Sequence, residues 1–311
     1  MSELRMRLAE KAKQSSSLLG GDAYSSYWLR WVNEIDFLKP ATNIRKIYGD
    51  YFTPVRWRSE NYVFRLLVSL ELIVTSFLSS PKAFLRTIFK PNYWRLSKIC
   101  RKQGRHMNFV NIIALSAFNL ICSRVKSDQL TICIIGDGAS NFVVLSHMAS
   151  PKFKKIISIN LSEVHLVETE MLLKAGISES ELTIIDSKLT AQEFFLSESK
   201  IAVVSADDVQ YLTDLKIDIF VNLSSMQEMT TVAISEYFSL IKSSNSFFYC
   251  CNRKEKKLPD GSEIRFSEYP WGDARFLINE QCPWMKRTFN LTRPFIRRQE
   301  IHHHALVEFA S

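Results

Sequence analysis

The turn Gly136-Asp137-Gly138 interrupts an apolar run and is followed by a helix-like stretch from Ser140. Glycines at a strand-to-helix turn let the backbone approach a ligand closely, and the helix start beyond them is a common grip for a nucleotide-type cofactor. Other polar residues stand where later apolar runs end. Asn160 suits a ribose hydroxyl, and Asp207 or Asp208 suits an exocyclic amine. Helix capping explains either aspartate taken singly equally well. Two sets of proton acceptors accompany these groups: Glu228 in the run Ser224-Ser225-Met226-Gln227-Glu228-Met229, and His302-His303-His304 near the end of the chain. A hydroxyl is a poor nucleophile while neutral, so an acceptor held beside a bound electrophile would activate it.

The spacing discriminates between cofactors. A dinucleotide site wants Gly-x-Gly-x-x-Gly and an acid after the second strand. Here Asn141 occupies the third glycine position and Asn160 the acid position. S-adenosylmethionine needs no pyrophosphate cradle, and its sulfonium and amino-acid part would sit over the first turn. The candidate cofactor residues are therefore Gly136, Asp137, Gly138, Asn141, Asn160, Asp207, Asp208 and Ser225. A nicotinamide oxidoreductase and a non-catalytic binding module are the alternatives.

These residues need elements to position them. After Asp128, apolar runs at Leu130–Ile135, 155–159, 201–205, 217–223 and 246–251 alternate with helical patterns at 140–149, 163–175, 191–197 and 231–242. Such alternation predicts a doubly wound parallel sheet. Residues 182–185 read as a short strand or a loop. Residues 285–290 and 301–309 read as an antiparallel pair, which would bring the histidine run to the carboxyl ends of the parallel strands. Alternation along a strand puts His302 and His304 on one face and His303 on the other. Before this domain (126–311), residues 1–125 read as a helical region: a frayed helix over 1–20, short helices and loops over 24–60, and apolar helices over 62–78 and 108–122. The run 62–78 contains Arg65 and Glu71 and is short for a membrane span.

Charge separates the two regions. Residues 1–129 hold 21 Lys/Arg against 9 Asp/Glu, while residues 130–311 hold 19 against 23. The stretch Lys82–Arg105 carries eight basic residues and no acid. It predicts either a solvated face or an anionic partner. The six cysteines contain no Cys-x-x-Cys pair, which implies reduced thiols and no zinc site. No metal is expected, and the expected location is cytoplasmic, peripheral to a membrane if the basic region meets one.

The segments Asp218–Thr230 (DIFVNLSSMQEMT) and Phe247–Gly261 (FFYCCNRKEKKLPDG) resemble the sugar O-methyltransferases over roughly residues 130–309. The resemblance implies a Rossmann-like fold of the class I methyltransferase type, parallel with an antiparallel last strand. It also implies transfer of a methyl group from S-adenosylmethionine to a sugar hydroxyl of a glycan or glycoconjugate. Gln227, Asn252, Arg253 and Trp271 would then bind the acceptor, with Tyr269 and Trp284 nearby. His302 or His304 would be the base, with Glu228 orienting the acceptor or cofactor; the reverse assignment is the alternative. The expected partners are a sugar or glycan acceptor, and an anionic membrane surface or acidic glycan through the basic region; nucleic acid is not expected. The chain departs from the pattern at Ile134, where an acid is usual, at Ser140, where a third glycine is usual, and at Asn160.

Overall fold

A computed structural model describes residues 3–17, 74, 76–78 and 80–309, with breaks at 104–106, 108, 139, 150–151, 291–292 and 299–301. The expectations for residues 24–60, and nearly all of that for 62–78, lie outside the described residues. Among the described residues no helix is long and apolar enough to cross a membrane.

Among the described residues four helices precede the sheet: α1 (Glu3–Ser17), α2 (Pro81–Ile88), α3 (Pro91–Lys102) and α4 (Phe109–Arg124). The alternating part then runs β1 (Leu130–Ile135), α5 (Asn141–Met148), β2 (Phe153–Asn160), α6 (Ser162–Ala175), β3 (Leu182–Ile185), α7 (Lys188–Leu196), β4 (Ile201–Ser205), β5 (Ile219–Leu223), α8 (Thr231–Ser243) and β6 (Phe247–Arg253). A ribbon of β7 (Glu255–Lys257) and β8 (Glu263–Arg265) follows. The chain ends with β9 (Arg275–Gln281), a hairpin of β10 (Arg287–Asn290) and β11 (Arg293–Arg298), and β12 (His302–Glu308).

Eight strands form one sheet in the order β3-β4-β2-β1-β5-β6-β12-β9. It is parallel from β3 to β6, and β12 runs antiparallel to both neighbours. The fold is thus the Rossmann-like methyltransferase type. Strand order reverses between β1 and β5, and ligands bind at the carboxyl ends of strands beside such a switch. We call that side the ligand edge.

Both sheet faces are covered, which explains why the central strands read as apolar runs rather than alternating ones. Helices α3, α4 and α5 bury Leu96, Phe118, Ile121 and Phe142 against Ile132, Ile134 and Leu306. The opposite face packs Ile135, Phe220, Phe248 and Val307 against Phe194 and Phe238. Helix α1 is anchored rather than frayed: Leu8, Ala9 and Ala12 are buried against Leu166 of α6, Ile184 of β3 and Val203 of β4.

Two strand expectations are corrected. Residues 285–290 do not pair with 301–309; β10 pairs with β11, and β12 lies between β6 and β9. Strand β9 went unrecognised because it is an edge strand with mostly exposed side chains, so it carries no core-facing apolar alternation. The ambiguous residues 182–185 form β3, the opposite edge. None of the six cysteines is in a disulfide.

Candidate cofactor site at the ligand edge

The turn after β1 holds three residues in the left-handed region: Gly136 (φ 74°), Gly138 (φ 59°) and Ser140 (φ 59°). A Cβ on Gly136 would overlap the Ser225 side chain. Ser225 Oγ donates to Ile135 O at 3.0 Å and accepts from Asn222. The first glycine is therefore required by the close packing of the loops after β1 and β5. Ser140 keeps the conformation that a glycine would adopt, at a cost of about 1–2 kcal/mol. Its buried Oγ donates to Glu168 O at 3.2 Å. Ile134 lies in the sheet core, 2% exposed.

Asp137 carries the carboxylate of this turn. It accepts from Phe142 N at 2.7 Å and Val143 N at 2.9 Å, so it caps α5 from inside the loop. Asn141 is buried, and its Oδ1 accepts from Asn111 Nδ2 of α4 at 2.7 Å, so that oxygen is turned toward the helical layer.

Asn160 ends β2 and belongs to a buried network that sequence reasoning missed. Glu168 of α6 is fully buried and accepts from Ser158 Oγ at 2.6 Å and Asn160 Nδ2 at 3.1 Å. Its carboxylate also meets His165 Nδ1 at 2.8 Å, and His165 Nε2 donates to Val204 O at 2.8 Å. The Asn160 amide is thereby oriented, with Nδ2 turned inward to Glu168. The missed signal lies in Ser158 and Asn160, two polar residues on the same face of an otherwise apolar strand.

At the end of β4, Asp207 and Asp208 meet the N-terminal helix. Ser15 Oγ donates to Asp207 at 3.1 Å and lies 3.1 Å from Ser162 Oγ, which in turn lies 2.7 Å from Ser205 Oγ. Lys11 pairs with Asp208. Burial raises the Asp208 pKa, and Lys11 opposes that shift. The two aspartates thus hold α1 at the ligand edge.

The loop after β5 is tied to the end of β6. Asn252 Nδ2 donates to Asn222 Oδ1 at 2.8 Å, and Asn252 Oδ1 accepts from Gln227 N at 3.2 Å. Gln227 Oε1 accepts from Arg253 N at 2.7 Å. Ser225, Gln227 and Asn252 are buried, and these atoms are spent within the two loops and on Ile135 O. What this lock presents is Glu228, which pairs with Lys256. Burial raises the Glu228 pKa, while Lys256 and then Arg253 oppose the rise.

His302 and His304 do share a face, but that face is interior: they are 3% and 1% exposed. His304 Nδ1 lies 3.1 Å from Tyr249 Oη, and its ring meets the Tyr249 and Trp284 rings edge-on. Glu280 Oε1 stands 3.5 Å from Nε2, too long and poorly aligned to count as a hydrogen bond, and Nε2 is otherwise unpartnered. Burial lowers the His304 pKa from 6.5 to about 4. The sequence reading assumed an unperturbed imidazole; the layer of side chains over β12 removes that condition.

Trp271 is 9% exposed, donates Nε1–H to Phe266 O at 3.1 Å and packs edge-on to Phe238 at 5.1 Å. Tyr269 and Trp284 are buried too. These rings support the core, so the expected stacking of an acceptor on Trp271 has no exposed aromatic face. Among the described residues no group of His, Cys, Asp and Glu is assembled for a metal ion.

No family model and no curated protein matches the chain. Solved structures are similar to it over part of their length. A Pyrococcus horikoshii protein provisionally assigned as an RNA methyltransferase is 14% identical, covering 64% of this chain and 82% of its own, with a TM-score of 0.40. A SAM-dependent methyltransferase from Aquifex aeolicus is 12% identical over 62% of this chain and 89% of its own, TM-score 0.37. A Streptococcus pneumoniae protein provisionally assigned as a tRNA (m1A22) methyltransferase, solved with S-adenosyl-L-methionine, is 9% identical over 62% and 72%, TM-score 0.38. These are likenesses of fold. The expectation of a sugar or glycan acceptor, with nucleic acid not expected, is corrected: the two of these structures named for an acceptor name RNA or tRNA.

Proposed function

We propose that the chain is an S-adenosylmethionine-dependent methyltransferase. One observation carries this reading over a dinucleotide enzyme: the Asp137 carboxylate occupies the amino end of α5. A pyrophosphate binds at such an end through the same N–H groups and the helix dipole. Here an anion of the protein already fills that place and would repel another. A cofactor bearing a sulfonium and an ammonium instead meets a complementary charge.

The residues present fit that cofactor. Gly136, Gly138 and Asp137 would hold its amino-acid part, Asn160 its ribose through Oδ1, and Asp207 its adenine beside Ser15. Bound S-adenosylmethionine supplies an electrophilic methyl group. The chain's own residues supply the positioning and the proton acceptor. Glu228 is the better base candidate, because burial raises its proton affinity while the imidazole of His304 is made a weaker acceptor. Lys256 keeps the Glu228 carboxylate oriented.

The test is thermal unfolding with S-adenosylhomocysteine and with NAD⁺. A ligand at 100 times its Kd stabilises the fold by about 2.7 kcal/mol. Stabilisation by S-adenosylhomocysteine that weakens in Asp137→Asn is the expected result. Stabilisation by NAD⁺ alone would reject the reading.

A further inference from the structure

We infer that the outer face of the α2–α3 corner is a docking surface for single-stranded RNA. Lys82 and Arg86 on α2, Lys90 at the corner, and Arg95, Lys98 and Lys102 on α3 are all exposed. Among the described residues none of them pairs with a carboxylate. Between them stand Leu85 (42% exposed), Phe89 (79%) and Trp94 (65%). In α2 the positions 82, 85 and 86 fall on one helical face, Phe89 follows one residue past the helix end with its N–H still bonded to Leu85 O, and in α3 the positions 94, 95, 98 and 102 share a face.

Unpaired cations and exposed aromatics also suit a lipid surface, but two features favour a polynucleotide. A helix lying in a membrane interface directs a broad, segregated apolar face at the lipid. Here Phe84, Leu96 and Cys100, the apolar faces of both helices, are already buried in the protein. What remains outside is aromatic rings interleaved with cations, the pattern that stacks bases while neutralising phosphates.

The second feature is position. Lys102 lies beside Gly176 at the carboxyl end of α6, and Lys90 lies near Cys122 toward the end of α4. Both places are at the amino ends of the sheet strands, opposite the ligand edge. The two ends are separated by about 20 Å, the length of a six-residue strand. A partner that serves both must be long, as a strand of several nucleotides is. A flat lipid surface on this corner would face away from the ligand edge. The inference names an acceptor class for the proposed methyl transfer and rests on that reading to this extent; RNA binding itself does not.

The experiment is fluorescence anisotropy of labelled oligouridylate, roughly 20 nucleotides long, with the full chain and no cofactor. If about four phosphates are neutralised, affinity falls by about 50-fold between 50 and 200 mM salt. Trp94→Ala should weaken binding by roughly 5- to 150-fold, the loss of one stacked base. Arg95→Glu with Lys98→Glu should weaken binding and flatten the salt dependence, while Lys216→Glu, an exposed lysine below the opposite face of the sheet, should change neither. All these side chains are exposed, so unchanged melting temperatures verify folding. Oligouridylate binding that survives both the Trp94 and the double charge variant would overturn the inference. So would binding to phosphatidylserine-containing vesicles through Trp94 without binding to oligouridylate. Failure of S-adenosylhomocysteine to bind would reject the methyltransferase reading and leave this assay's result standing.

Discussion

Replacing Glu168 tests whether the buried network under the ligand edge behaves as one unit. Glu168→Leu leaves Ser158 Oγ, Asn160 Nδ2 and His165 Nδ1 facing an apolar side chain in a site without solvent access. An orphaned buried polar group costs about 1–3 kcal/mol. The three orphans share one small volume and relax together, so we expect about 4 kcal/mol rather than the sum of the parts. Glu168→Gln keeps one acceptor oxygen but turns an amide donor toward existing donors; about 2 kcal/mol is expected. Urea denaturation reads both, and the Leu variant's midpoint should fall by about 1 M or more. Because Asn160 loses its orienting partner, S-adenosylhomocysteine affinity should fall in the Gln variant even where it remains folded. The double variant His165→Phe/Glu168→Leu should cost less than its two single variants added together. A Glu168→Leu protein with a wild-type midpoint would refute the reasoning, since no coupled network could then be contributing.

Three further outcomes are expected. Glu228→Gln should lower kcat by about 10²- to 10⁴-fold with S-adenosylhomocysteine affinity unchanged, and the wild-type rate should rise with pH through the raised Glu228 pKa; an active Gln variant removes the base assignment. The lowered His304 pKa means the unfolded chain takes up a proton that the folded chain refuses, so stability is full near pH 7 and falls as pH drops from 6.5 toward 4. That loss, up to about 3 kcal/mol, should be missing in His304→Gln when the two pH-stability curves are compared. Gly136→Ala should destabilise by at least 2 kcal/mol in chemical denaturation, roughly the left-handed backbone cost plus the overlap with Ser225.

The sheet was legible because β1, β2, β4, β5 and β6 are buried on both faces and therefore apolar without interruption. The glycine turn and the lock formed by Asn222, Ser225, Gln227 and Asn252 were visible as residues. Their partners were not, since hydrogen bonds between side chains and main-chain groups 25 to 90 residues apart leave no local period. His302 and His304 show the other limit of strand alternation. It identifies which side chains share a face, but whether that face meets solvent depends on Tyr249 and Trp284, which come from elsewhere in the chain. Glu168 was passed over because a charged residue in a helix is usually at the surface.

The anchoring of α1 has a consequence for biosynthesis. The helix buries Leu8, Ala9 and Ala12 on α6, β3 and β4, and Ser15 bonds to Asp207, 192 residues further along. A ribosome adding about 5–20 residues per second needs roughly 10–40 s to make that stretch. During that interval the helix has been synthesised but the surface it packs on has not. Its short apolar stripe must stay soluble alone, which the flanking Arg5, Arg7, Lys11 and Lys13 favour by charge. Docking of α1 is therefore a late step in folding, and the ligand edge is completed only when that helix closes onto it.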